Sequence, residues 1–233
     1  QPPQQAVVVA GGASAAANTT SVSPITYSID GKTWSQAIGA KEAFGSSGTV
    51  NAIRYGQTST AISPNGRIWV AGGTGTSSLA FSQNGIRWTS VTNATTMITN
   101  VRAIAYAPAD QALATTNATT SASGVGNGVW VAGGDTTNSL VFSYDGISWS
   151  EVPNSLTILS RCNAIAYGAT GTGTGVFVAG GLASSSASAL DTTANMAYST
   201  DGYNWQPIRG SGARISGSGA SIHCITYGRD ENG

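Results

Sequence analysis

The side chains that could carry out chemistry are few in this chain and widely spaced. The 233 residues include ten Asp and Glu, ten Lys and Arg, one His and two Cys, and the formal net charge is zero. Glycoside hydrolysis needs two carboxylates about 5–9.5 Å apart across the scissile bond. Asp30, Asp145 and Asp201 each precede a glycine in a predicted turn, and the remaining acidic residues lie mostly in apparent loops. We therefore predict that the chain is not an enzyme, with a glycosidase as the alternative.

The sequence also lacks the residues of a conventional metal site. A zinc site draws three or four ligands mainly from Cys and His, so we predict no metal and no cofactor. By strand parity, Cys162 and Cys224 fall on the same face of neighbouring strands. A disulfide in an oxidising compartment is one interpretation, and two buried free thiols is the one we favour.

The low charge content limits the classes of partner that the chain is expected to bind. Only 9% of the residues are charged, against about 25% in an average soluble domain. Basic runs are absent, so we expect no nucleic-acid partner, and no apolar stretch approaches the roughly 18 residues of a membrane-spanning segment. Weak electrostatic repulsion leaves self-association, or docking into a larger assembly, open.

One pattern, aromatic-Ser-x-Asp/Asn-Gly-x-x-Trp, occurs four times, at residues 27–34, 81–88, 142–149 and 198–205. An Asp-Gly or Asn-Gly pair between apolar runs predicts a two-residue β-hairpin with both central residues at positive φ. Each repeat also has a strand ending in Ala-Gly-Gly (7–12, 68–73, 129–134, 176–181) and a strand ending in Tyr (51–55, 102–106, 163–167, 223–227). The tryptophans recur every 54 to 61 residues, which favours an all-β propeller of four-stranded antiparallel blades.

These hairpins resemble the Asp-box, or BNR, repeats of β-propellers such as sialidases, sortilin-type receptors and photosystem assembly factors. The usual box has one more residue between Asp and Gly, and Asn84 replaces the aspartate in the second copy. The resemblance implies a hairpin between the third and fourth strands of a blade, and it does not imply catalysis. The residues that it marks as structural are Ser28, Asp30, Gly31, Trp34, Ser82, Asn84, Gly85, Trp88, Ser143, Asp145, Gly146, Trp149, Ser199, Asp201, Gly202 and Trp205. We expect each tryptophan to fill the gap between adjacent sheets.

The order of the strands predicts how the domain is organised. We expect a flexible leader at 1–5 and a single domain at 6–233, with repeats at about 6–56, 67–107, 128–168 and 175–228. The chain starts with a second strand and ends with a first strand, so pairing of 221–228 with 7–12 would close a four-bladed ring. The alternative is that the four repeats form part of a larger ring or assemble with another copy.

The best candidate for a binding site is a polar position on the innermost strands. Asn51, Arg102, Asn163 and His223 each lie four residues before the strand-ending Tyr, and a ring of them near the channel mouth could bind a ligand. A solvated channel lining is the alternative. Strand parity places Arg54 on the opposite face from Arg102 and Arg161.

We therefore expect a non-catalytic binding or structural module on an exported protein, a cell surface or a virus particle. It would engage a protein or glycan partner. Asn18, Asn93 and Asn117 lie in glycosylation sequons. The alternatives are a sialidase-like glycoside hydrolase and an assembly-factor-like propeller.

Overall fold

The computed structural model describes residues 6–14, 22–108, 128–169, 175–186, 188–214 and 220–228. These residues form four antiparallel sheets and four short helices. Sheet 1 contains β1 (Val8–Gly11), β2 (Ile25–Ser28) and β3 (Ser35–Gln36). Sheet 2 contains β4 (Thr49–Gln57), β5 (Arg67–Thr74), β6 (Leu79–Ser82) and β7 (Thr89–Ser90). Sheet 3 contains β8 (Asn100–Ala107), β9 (Val129–Asp135), β10 (Leu140–Ser143) and β11 (Trp149–Glu151). Sheet 4 contains β12 (Leu159–Ala169), β13 (Gly175–Ala183), β14 (Met196–Ser199) and β15 (Gln206–Pro207).

The all-β class and the antiparallel repeats are confirmed, and each strand pairs with the next one along the chain. Sheets 2 to 4 have four strands, whereas sheet 1 has three, because the described residues include no first strand paired with β1. A helix of four or five residues follows the last strand of each sheet: α1 (Ala40–Phe44), α2 (Ala94–Met97), α3 (Ser155–Ile158) and α4 (Ser211–Arg214). The leader at 1–5 and the sequons at Asn18 and Asn117 lie outside the described residues.

The Gly-Gly pair on the second strands of sheets 2 to 4 allows the backbones to approach closely. A methyl group added at Gly73 would overlap the carbonyl oxygen of Thr49 in the same sheet. A methyl group at Gly72 would instead overlap Val101 in the next sheet. Only glycine fits such contacts, so the pair fixes both strand pairing and sheet stacking.

The sheets stack in chain order and bury one apolar cluster at each of three junctions. Trp88 lies in the cluster between sheets 1 and 2, Trp149 in that between sheets 2 and 3, and Trp205 in that between sheets 3 and 4. β4, β8 and β12, the first strands of sheets 2 to 4, also contact one another in sequence. The first strands therefore form a row along one side of the stack.

The prediction of a two-residue hairpin is wrong. We call residues 28–34, 82–88, 143–149 and 199–205 the motif turns. Tyr27 pairs with Ser35 across the first of them, so the connection is wider than two residues. Only the glycine has positive φ, for example 73° at Gly31. Asp30 widens the turn because its Oδ1 accepts hydrogen bonds from the backbone N–H groups of Lys32 (2.8 Å) and Thr33 (2.7 Å).

The expectation that every motif tryptophan fills a gap between sheets is wrong for Trp34. Its counterparts at 88, 149 and 205 are buried, whereas Trp34 is 44% exposed. Each buried indole packs against the sheet that precedes its own. No preceding sheet is present for sheet 1 within the described residues, so Trp34 remains in contact with solvent.

The predicted closure between the terminal strands is also wrong. Residues 220–228 form no strand, and β1 is an edge strand that pairs with β2. The C-terminal segment instead lies against sheet 4, where Ile222 and Ile225 face Gly180 and the ring of Tyr227 covers Gly168. It therefore occupies the position of a first strand for a further sheet, at the opposite end of the stack from β1.

Candidate binding site on the first strands

Three of the four predicted site residues lie at the same irregularity of the sheets. The pairing of β4 with β5 shifts between Val50 and Ala52, which leaves Asn51 as an extra residue, or β-bulge. Arg102 in β8 and Asn163 in β12 occupy equivalent bulges. A bulge re-aims a side chain relative to the regular alternation of a strand. The repeat thus places a polar side chain at the same point of three neighbouring strands.

The two asparagines at these bulges link adjacent sheets. The side-chain N–H of Asn51 donates to the carbonyl oxygen of Val101 (2.8 Å) and to the Asn100 side-chain oxygen (3.3 Å). Asn163 repeats this contact one junction later, because its side-chain N–H donates to the carbonyl oxygen of Ile222 (2.9 Å) and to Ser221 Oγ (2.8 Å). These amides therefore have a structural role at the junctions.

Arg102 makes a different contact at its bulge. Its Nη2 and Nε donate to Asp135 Oδ2 at 2.9 and 3.2 Å, and Arg161 Nε lies 3.8 Å from the same oxygen. All three side chains are partly exposed. One carboxylate therefore faces two guanidinium groups, and the cluster carries one net positive charge on the surface of the stack. Arg54 is exposed elsewhere on β4.

The fourth predicted residue, His223, lies in the C-terminal segment and is exposed. The segment follows the row of first strands, since Ser221 and Ile222 accept the hydrogen bonds from Asn163. The structure therefore aligns Asn51, Arg102, Asn163 and His223 as successive members of one row.

The two cysteines are free, as we favoured, but the predicted burial of both is wrong. Cys162 is buried and Cys224 is exposed. The bulge between Cys162 and Ala164 breaks the parity argument that placed them on one face. Burial raises the pKa of the Cys162 thiol to about 12, so this group stays protonated.

The aspartates of the motif turns serve the backbone of those turns. Hydrogen bonds from the Thr33 hydroxyl and from the backbone N–H groups of Thr33 and Lys32 hold the pKa of Asp30 far below its ordinary value. Burial acts to raise the pKa of Asp201, but hydrogen bonds from Asn204 and Tyr203 outweigh it and lower the net value. The hydrogen bonds of the turns therefore stabilise the ionised form of both side chains.

The described residues contain no cluster of three or more His, Cys, Asp or Glu side chains arranged to hold a metal ion. No helix there has the length and apolar character needed to cross a membrane. Asn93, the described sequon, is an exposed residue with φ of 58° at the start of α2.

Sequence reasoning missed Asp135, which joins Arg102 to Arg161. The signal was present, because the residue after Gly-Gly is acidic only in the third repeat, whereas the fourth has Leu182 and the second Thr74. The neighbouring first strands carry the two arginines. Bringing the three residues together required the bulge at Arg102, which the residue pattern does not reveal.

Comparisons with known proteins place the chain in no family. It matches no protein-family model and no curated protein. Among solved structures, it is similar to the crystal structure of a GH74 enzyme from Niastella koreensis, at 21% identity and a TM-score of 0.29. The match covers 79% of this chain and 28% of the enzyme chain, so the chain spans less than a third of that enzyme's length. A likeness at this TM-score carries no argument about activity or substrate.

Proposed function

We propose that this chain is a propeller-like, non-catalytic module that binds a protein or glycan partner through the polar row of Asn51, Arg102, Asn163 and His223. The module is displayed on an exported protein, a cell surface or a virus particle. The observation that carries the proposal is the recurrence of a polar bulge at one position of successive first strands. Stacking of the sheets in chain order, with the first strands side by side, supports the propeller arrangement.

The charges along the row favour a partner that presents oxygen atoms. Arg102 and Arg161 share one carboxylate and remain partly exposed, so their free N–H groups can donate to a hydroxyl, carbonyl or carboxylate oxygen. Asp135 is the acidic residue in contact with both arginines. A glycosidase would need a second carboxylate placed opposite it, whereas Asp30 and Asp201 are bound within their own turns.

A glycan array probed with the purified chain tests the proposal. We expect the double variant Arg102→Ala/His223→Ala to bind its glycan about tenfold more weakly, a loss of about 1.4 kcal/mol. Arg54→Ala is the matched control, since it removes the same charge from an exposed position of β4. If the array is silent, the same variants are compared for docking to a protein partner. Unchanged affinity in the double variant would remove the polar row as the binding site.

Catalysis would contradict the proposal in another way. Turnover of a sialoside or another glycoside by the wild-type chain, abolished in Asp135→Asn, would show that the site is an active site. We expect no turnover by either protein.

A further inference from the structure

The three junctions between the sheets follow one plan. In sheets 2 to 4, the glycine of the motif turn lies against two apolar side chains on, or directly before, the second strand of the preceding sheet. Gly85 lies against Val7 and Val9, and the same relation joins Gly146 to Ile68 and Val70, and Gly202 to Val129 and Val131. The junction plan therefore specifies which atoms a further sheet would meet at either end of the stack.

At the front of sheet 1, the described residues leave the glycine contacts of this plan unfilled. A methyl group added at Gly31 or at Gly12 would meet no atom of the described residues within 4 Å. The equivalents of Gly12, namely Gly73, Gly134 and Gly181, instead lie against a carbonyl oxygen of their own first strand. Among the described residues, no first strand pairs with the outer edge of β1, and no preceding sheet covers Trp34.

The aromatic residues of sheet 2 reveal the same gap. Trp130 is fully buried, and its Nε1 donates to the Gln57 carbonyl oxygen (3.1 Å) on the first strand of the preceding sheet. Trp69 is its counterpart one sheet earlier, but it is half-buried and makes no such bond within the described residues. A first strand beside β1 would supply the carbonyl group that Trp69 lacks.

The back of sheet 4 carries a strand that would fill this gap. The N–H of Ile222 donates to the Gly181 carbonyl oxygen at 3.0 Å, as the N–H of Val50 donates to that of Gly12 at 3.0 Å. Residues 221–228 therefore lie where a first strand would lie, and the sheets of the described residues include no second strand hydrogen-bonded along them. Val178 is half-buried on this face, whereas its counterparts Val70 and Val131 are completely buried.

We propose that two copies of this chain associate head to tail, with residues 221–228 of one copy pairing antiparallel with β1 of the other. The back of sheet 4 then covers Trp34 of the second copy. In the complete sheets, Arg54 pairs with Val70, Ala105 with Val131 and Ala166 with Val178. The same register places Thr226 opposite Val9. Two such junctions close a ring of two copies with eight sheets, within the range known for propellers.

A second copy fits this role better than the chain's own segment. Residues 221–228 are held on sheet 4 by Asn163 and Gly181, at the opposite end of the stack from β1. Exposed strand edges readily pair with another chain, and zero net charge leaves little repulsion between copies. The three internal junctions are each formed by the equivalent front and back surfaces of neighbouring sheets.

Light scattering on the full chain gives the first test. We expect a mass twice the 23.4 kDa of one chain at tens of micromolar protein. Gly12→Ala should give monomers, and its thermal stability should match that of the wild type at a dilution where both are monomeric, because the described residues leave free space for its methyl group in the single chain. Leu190→Ser, which removes an exposed apolar side chain elsewhere, should leave the dimer intact. A monomeric wild type, or a dimeric Gly12→Ala variant, would overturn the proposal.

Cysteine cross-linking identifies which chain supplies the strand. In a Cys224→Ser background, a Val9→Cys protein is mixed with a Thr226→Cys protein and oxidised. Cα atoms of directly paired residues lie about 4.5–5.5 Å apart, within disulfide range, so we expect a covalent dimer containing one chain of each. The buried Cys162 should not react. A disulfide within single chains of the Val9→Cys/Thr226→Cys double variant, with none in the mixture, would show closure by the chain's own segment and refute the proposal.

Discussion

Replacement of Trp149 by alanine tests whether the motif tryptophans hold the sheets together. Its side chain is 8% exposed between sheets 2 and 3, and its Nε1 donates to the Gly146 carbonyl oxygen at 3.1 Å. A buried tryptophan removes about 150–250 Å² from water, which at about 25 cal/mol/Å² corresponds to ~4–6 kcal/mol. Core Trp→Ala substitutions cost about 3–5 kcal/mol. We therefore expect Trp149→Ala to lower the free energy of unfolding by about 4 kcal/mol.

Trp34→Ala is the matched control, since it removes the same side chain from the same position of a motif turn. Trp34 is 44% exposed and its turn faces no preceding sheet, so burial of about half its area predicts a loss of ~2 kcal/mol. Urea unfolding, followed by circular dichroism in dilute solution, measures both values. Equal losses for the two variants would refute the view that the preceding sheet buries these indoles.

Three further predictions concern titration, thiol chemistry and the links between sheets. The pKa values of Asp30 and Asp201 are lower in the folded chain than in the unfolded one. Their stabilisation is therefore complete above about pH 4 and is lost as the pH falls through the folded values. Replacing both aspartates with Asn should make the urea midpoint depend less on pH between neutral pH and about pH 2. A steeper fall of the midpoint with acid would contradict this. An iodoacetamide assay on the native chain should label Cys224 and spare Cys162. Labelling of both at equal rates would show that the reagent reaches Cys162 and that β12 is exposed to solvent there. Asn51→Ala removes two hydrogen bonds between sheets and should cost about 1–2 kcal/mol in urea unfolding, whereas no loss would mean that water replaces them.

The repeat pattern predicted the strands of the sheets well, because local alternation and glycine placement determine them. The second strands fall where Ala-Gly-Gly indicated, and the motif turns connect the third and fourth strands of sheets 2 to 4. The turn type was wrong because Ser28 and Asp30 bind backbone N–H groups through their side chains, which an Asp-Gly pair does not reveal. Helices of four or five residues are too short to show helical periodicity.

The candidate site was predicted by position but not by geometry. The alignment of repeats identified Asn51, Arg102 and Asn163 as equivalent, and the structure places all three at equivalent bulges. The bulges depend on how a first strand meets the Gly-Gly of its partner, so they are a property of two strands together. The end effects at Trp34 and at residues 221–228 have a similar origin, since a repeat motif does not reveal what its neighbours cover.

Exchange of the six indole N–H groups, followed by NMR on the Gly12→Ala chain, tests the stacking of the sheets most directly. The indoles of Trp88, Trp130, Trp149 and Trp205 donate to backbone carbonyl groups inside the junctions. We expect these four to exchange slowly, and those of Trp34 and Trp69 to exchange rapidly. Rapid exchange at the four junction indoles, or equal protection of all six, would contradict the stacked arrangement.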